Sequence, residues 1–202
     1  MPDLPTATPS TDPAARADIQ RRVLKVLWFG QVVGGAALAA AVTVGAFVVQ
    51  DILGQQTPLA GIATATTTVG TAVMSQVLAR KMSRRGRRPG LQLGYALAAV
   101  GGCVAAAGVE LGSLPVFLLG LFTFGNGQAS NILARYTATA LAEPDERSQA
   151  MSRIVFASTF GAVFGPILIG PAQSAGQEWF GLEKYSGPWL LGSLLFAIAA
   201  AN

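Results

Sequence analysis

Residues 26–50 read VLWFGQVVGGAALAAAVTVGAFVVQ, a run without a single charged side chain. Crossing the hydrocarbon core of a bilayer takes about 20 predominantly apolar residues in a helix, so this stretch alone points to a membrane span. Working outward, comparable uncharged runs occupy 58–79, 91–109, 114–134 (with a continuation to 141), 154–173 and 187–202. Five are long enough to cross. The sixth stops after about 24 Å of helix at 1.5 Å per residue, which reads as a span cut short in an incomplete sequence. The expectation is an all-α, polytopic membrane protein with six transmembrane helices over 21–202.

Composition agrees with that reading. Only 12% of the 202 residues are charged, 51% are hydrophobic, and the mean hydropathy is +0.49. Water-soluble domains carry about 25% charged residues. The 24 glycines fit helices that pack against one another in lipid. There is no histidine, and Cys103 is the single cysteine. The chain therefore lacks the commonest general base and metal ligand, a paired-thiol motif, and any His-activated nucleophile. Asp51 and Glu110, the acids nearest the outer span ends, lie far apart in sequence with no nucleophile–base arrangement around them. An enzyme is not expected, nor a cofactor or metal. Residues 1–20, MPDLPTATPSTDPAARADIQ, are rich in Pro, Thr and Ala and read as a flexible cytoplasmic tail without the pattern of a cleavable signal peptide.

The charges are distributed unevenly. If each span reverses the side, one side receives Arg16, Arg21, Arg22 and Lys25, then Arg80, Lys81, Arg84, Arg85, Arg87 and Arg88, then Arg147 and Arg153, twelve of the fourteen basic residues. The other side receives Lys184 with Asp51, Glu110, Glu178 and Glu183. By the positive-inside rule both ends of the segment are expected in the cytoplasm, in a cell membrane. The basic run at 80–90, RKMSRRGRRPG, is then a cytoplasmic turn whose cations face the anionic leaflet. It lacks the interleaved aromatic and amide groups of a nucleic-acid surface, so no nucleic-acid partner is expected.

The spacing inside this turn carries a resemblance. ARKMSRRGRR, residues 79–88, joins the second and third spans and resembles the loop motif of the major facilitator superfamily, G-x-L-A-D-R-x-G-R-R. Gly86, Arg87 and Arg88 match its G-R-R and Arg84 its first basic residue, while Ala79 replaces the leading Gly and Ser83 the Asp. In that family the carboxylate and arginines lock neighbouring helices in one conformational state, so Ser83 puts the lock in question. The fifth span carries a second likeness. Gly161, Gly165, Pro166 and Gly170 in GAVFGPILIG resemble the fifth-helix pattern G-x-x-x-G-P-x-x-G-G of antiporters, with Ile169 replacing one Gly. The loop before it, EPDERSQAMSR, resembles the family's acidic-then-Arg connection, with Arg147 in the basic place. One departure concerns coupling: in the fourth-helix pattern R-x-x-x-G-x-G, Leu121 stands where the Arg would be, ahead of Gly125 and Gly127.

Polar residues within spans are costly in lipid and tend to face cavities or partners. Gln128, Asn131 and Arg135 recur at i, i+3 and i+7 on one helical face, Asn126 is offset from them, and Gln31 is the first span's amide until Gln50. Gln31, Asn126, Gln128, Asn131 and Arg135 form the candidate substrate pathway. Thr64, Thr68, Thr71 and Ser75 make a second stripe, read as interhelical hydrogen bonding. Trp28, Trp179 and Trp189 are read as interfacial belt residues.

The resemblance implies the amino-terminal half of a twelve-helix secondary transporter, working by alternating access on a small-molecule substrate. It points to ion-coupled export of drugs or metabolites, with proton or sodium as coupling ion. The partners would be the lipid bilayer and a missing second six-helix half or a homodimer mate. No Gly-rich phosphate loop suggests ATP drive. The alternative is a non-transporting membrane sensor or scaffold that retains the helical bundle.

Overall fold

The computed structural model describes residues 13–54, 58–141 and 147–201, and within them the chain forms helices and turns without strands. The helices are α1 (Pro13–Leu53), α2 (Ile62–Arg85), α3 (Arg87–Glu110), α4 (Leu114–Leu141), α5 (Arg147–Ile167), α6 (Ile169–Phe180) and α7 (Ser186–Ala201), with a short 3-10 turn at Pro58–Gly61 leading into α2. α1 extends further back than expected. Pro13–Gln20 form its first turns instead of a tail, with Pro13 at a first helical position, where a missing N–H costs nothing. Residues 1–12 lie outside the described residues, as do 142–146 in the loop expected before the fifth span. The rest of that loop, 147–153, is already the start of α5.

Six spans were expected, and length and composition alone single out fewer. Leu27–Leu53, Pro58–Arg85 and Arg87–Glu110 are long and apolar enough to cross a membrane, and Met151–Ile167 with Ile169–Phe180 qualifies when its two arms count as one span. α4 has the length, at 28 residues, but Asn126, Gln128 and Asn131 dilute its apolar character. α7 is 16 residues long.

Successive helices alternate in direction along the chain, with α5 and α6 counting as one bent span, and small residues set how they meet. α3 and α4 pack antiparallel along most of their length: a Cβ at Gly101 or Gly108 of α3 would collide with the α4 backbone at Phe124 or Phe117. α2 runs parallel to α4, with Gly70 against the Phe122 carbonyl and Gly125 against Thr67 and Thr71. α1 and α5 are also parallel. Gly161 and Gly165 lie on the α1 backbone at Val32 and Ala36, the close approach expected of a small-x-x-x-small face. Gly170 does not share in it, since no atom lies within 4 Å of the place its Cβ would take.

Between α5 and α6 the helix axis bends by 46°. Pro166 sits inside α5 one residue before its end and cannot donate to the preceding turn. Pro171, the third residue of α6, removes a second donor across the same break. The chain turns from α2 to α3 at Gly86, whose φ of 92° is a backbone region open to glycine. This turn, the start of α1, the end of α4 and the start of α5 share one end of the bundle, the basic end. The α3–α4 and α6–α7 turns mark the far end.

The largest aromatic side chains of the core lie toward the far end. Phe117, Leu121 and Phe124 of α4 meet Trp189 and Phe196 of α7, all fully buried. The Trp189 ring packs edge-on against Phe117 at 5.3 Å and Phe124 at 5.5 Å between centroids. Trp189 is therefore a core residue and not an interfacial one, because α7 docks into the α1–α3 groove on the face that carries it. Trp28 and Trp179 are exposed.

Candidate functional site

Toward the basic end the interior turns polar. α1, α3, α4 and α5 each bring one or two hydrogen-bonding side chains to a common point. Asn131 of α4 is at its centre and is buried. Its side-chain oxygen accepts a hydrogen bond from the Tyr95 hydroxyl of α3 at 2.8 Å, and its backbone carbonyl accepts one from the Gln31 side-chain amide of α1 at 2.7 Å. One turn further along α4, Arg135 reaches in two directions. Its Nε donates to Gln31 Oε1 at 3.5 Å and its Nη2 to Ser158 Oγ of α5 at 3.4 Å, both long contacts.

This convergence has a local cause in α1. Gly30 and Gly34 lie one turn apart on the helix surface that faces the amides. A Cβ at Gly30 would sit 3.7 Å from the Tyr95 hydroxyl, and one at Gly34 only 2.7 Å from Asn131 Oδ1. Missing side chains on α1 thus make the space that the polar groups of α3 and α4 fill. In a low-dielectric interior such bonds have no water to compete with, so an amide left without its partner is expensive. An arrangement satisfied mutually by four helices holds them in one relative position, and it must be broken or re-formed if they move.

The structure brings Gln31, Asn131 and Arg135 together and separates the other two candidates from them. Gln128 shares the Arg135 side of α4 but is exposed at the surface of the six-helix unit. Asn126 is buried about 160° around the helix from Gln128. It donates to the Thr123 carbonyl of its own helix at 2.6 Å, and its Oδ1 has no partner among the described residues. The single face read from the spacing is therefore two environments, one inward and one outward.

Tyr95, Ser158, Gly30 and Gly34 were not anticipated. Gly30 and Gly34 flank Gln31 in GQVVGG, a pairing of small residues with a buried amide that could have marked this surface of α1. Nothing local in YALAAV or FASTF marks Tyr95 or Ser158, which matter only because α3 and α5 are packed where they are.

The threonine stripe does in part what was expected. Thr68, Thr71 and Ser75 of the stripe, and Thr67 beside it, each donate to the carbonyl four residues earlier on α2. Only Thr71 of this group also crosses to another helix, reaching the Gly125 carbonyl at 3.1 Å. At the basic turn, Ser83 Oγ donates to the Arg80 carbonyl of its own helix at 2.8 Å. The tie from this turn to the bundle comes instead from Arg87, whose Nη1 reaches the Thr137 carbonyl of α4 at 3.5 Å. Arg84 is exposed, and Arg88 is engaged as well. Leu121, where the family pattern has Arg, is buried in the apolar core.

Comparison with known proteins gives the same picture. The family model described as Major Facilitator Superfamily matches residues 27–201. An uncharacterized MFS-type transporter of Bacillus subtilis (strain 168), YddS, is 34% identical over 187 residues, covering 93% of this chain and 42% of the relative. A second from the same organism, YdeG, is 33% identical over 189 residues, covering 94% of this chain and 44% of the relative. The riboflavin transporter RfnT of Brucella anthropi is 28% identical over 153 residues, 76% of this chain and 38% of the relative. The chain thus spans about two-fifths of the length of these relatives. With a helical bundle of apolar spans, glycine seams at the family's positions and a family match across nearly its whole length, this chain belongs to the Major Facilitator Superfamily, a family of membrane transporters and not of enzymes.

Proposed function

We propose that this chain supplies the amino-terminal six-helix part of a secondary transporter that moves a small organic molecule by alternating access. The observation that carries the reading is the Gln31–Asn131–Tyr95 network with Arg135 and Ser158, a polar junction that joins four helices. Its bonds are few and directional, as suits a contact that is made in one state and exchanged in another. Gln128, exposed on α4, lines the surface that the remainder of the protein, or a second copy, would close into a cavity.

In this reading the basic end faces the cytoplasm of a cell membrane, as its many cations favour. The bend at Pro166 and the Gly161–Gly165 seam support an antiporter-like exporter driven by a proton or sodium gradient. The spans of this chain between 27 and 50, 62 and 79, 91 and 109, 114 and 141, 154 and 177, and 187 and 201 contain no carboxylate, so a proton-carrying acid within a span would come from the rest of the protein. The name of one relative makes riboflavin a reasonable first solute to test.

The test is solute flux into vesicles containing the full-length protein, under imposed proton or sodium gradients. Asn131→Ala and Gln128→Ala should each lower flux at least about tenfold at unchanged expression, by the size of binding-site polar contacts. No flux of any candidate solute, or flux indifferent to both substitutions, would sink the reading in favour of a sensor or scaffold.

A further inference from the structure

The exposed face of α2 carries a feature that lies apart from the polar junction. Val69, Val73 and Val77 repeat every four residues and are 54%, 46% and 47% exposed. At about 100° per residue they sweep a sector of about 80°. Arg80 and Arg84 fall within that same sector, about 4.5 and 10.5 Å further along the helix axis than Val77, and both are exposed. Lys81 and Arg85 lie outside it, by about 40 and 80°. Along one stripe, then, α2 changes from branched apolar side chains to two guanidinium groups at the point where its uncharged run ends.

Among the described residues nothing compensates these two arginines. Residues 79–90 contain no acid, because Ser83 occupies the position where the family pattern has Asp. The Ser83 hydroxyl is turned onto the Arg80 carbonyl. Neither Arg80 nor Arg84 makes an ion pair or side-chain hydrogen bond with another described residue, whereas Arg87 is turned to Thr137 and Arg88 is engaged.

We propose that Arg80 and Arg84, with Val69, Val73 and Val77, form a docking surface for an anionic phospholipid of the bilayer. The headgroup phosphate is held between the two guanidinium forks, and an acyl chain lies along the valines. Arginine suits the role because its planar fork matches phosphate oxygens in pairs. The valine stripe is what selects a lipid over a free phosphate, which would use only the arginines.

The test is lipid retention and is independent of whether the protein transports anything. The purified full-length protein is placed in nanodiscs of phosphatidylglycerol and phosphatidylcholine in equal parts, extracted into detergent, and its retained lipids are weighed by mass spectrometry. Wild type should retain phosphatidylglycerol in excess. The double variant Arg80→Gln/Arg84→Gln should lower that excess about tenfold or more, since a charge-assisted hydrogen bond to phosphate contributes about that factor. Lys81→Gln/Arg85→Gln, with the same change in net charge, should keep it, and circular dichroism should report both variants folded. Three results would overturn the proposal: no preference in wild type, equal loss in both variants, or displacement of the lipid by water-soluble glycerophosphate at matching concentration. An unfolded Arg80/Arg84 variant is replaced by Val73→Ser, which should weaken retention without changing charge; unaltered retention there also counts against the site.

Discussion

The two halves of α4 solve opposite problems. From Leu114 to Gly125 the helix presents Phe117, Leu121 and Phe124 to Trp189 and Phe196, and its glycines let α2 and α3 approach to backbone contact. From Asn126 to Thr137 the same helix carries amides, an arginine and hydroxyls, and hydrogen bonds to α1, α3 and α5 are added to its packing contacts. Lipid gives little hydrophobic drive for helices to associate, so the first half holds by close packing, which tolerates no change of volume. Hydrogen bonds in the second half can be exchanged for others. In the proposed transport cycle, the packed far end is the rigid part and the hydrogen-bonded basic end is the part that changes.

The strongest way to break this assignment is to overfill the packed half. Gly101→Leu would drive a side chain into the α4 backbone at Thr123 and Phe124. It should cost about 3 kcal/mol or more and abolish recovery of monodisperse protein in detergent. Wild-type yield and melting temperature would show that the α3–α4 seam is looser than the geometry indicates.

A smaller effect is expected from emptying the same half. Phe124→Ala removes a ring that contacts both Trp189 and Phe196, and should destabilise by about 3 kcal/mol through the cavity it leaves. Trp189→Phe should cost less, because the indole Nε1 has no hydrogen-bond partner to lose among the described residues. Thermal unfolding of the two variants side by side checks the order, and a reversal would mean that Trp189 is held by its N–H.

The smallest expected change is in the polar half, and it sharpens the comparison most. Tyr95→Phe and Asn131→Ala should each lower stability by about 1 kcal/mol, with a coupling of about 0.6 kcal/mol in the double-mutant cycle, typical of hydrogen bonds between membrane helices. Unfolding in mixed micelles measures the cycle. A coupling above about 2 kcal/mol would make this junction a structural clamp instead of an exchangeable contact.

Much of the fold was legible because lipid imposes simple rules on a chain. The uncharged runs marked the helices, since a backbone in hydrocarbon must bond to itself. Gly86 was readable because its conformation is local, and Gly161, Gly165 and Pro166 because close approach and a missing donor follow from residue type. The site was half legible. Periodicity gathered Gln128, Asn131 and Arg135 onto one face, yet periodicity reports angle around one helix and nothing about its neighbours. Gln128 is exposed and Asn131 buried because α1 and α3 cover only part of that face.

The sequence by itself determined an all-helical membrane chain, the turn at Gly86 and the family likeness, all of which rest on residue types and short spacings. Only the tertiary structure decided which polar groups meet. It brought Tyr95 and Ser158 to Asn131 and Arg135, sank Trp189 into the core, and turned Ser83 back onto its own helix. These depend on how helices pack across long separations in sequence, where the presence of a glycine such as Gly34 on one helix makes room for an amide on another.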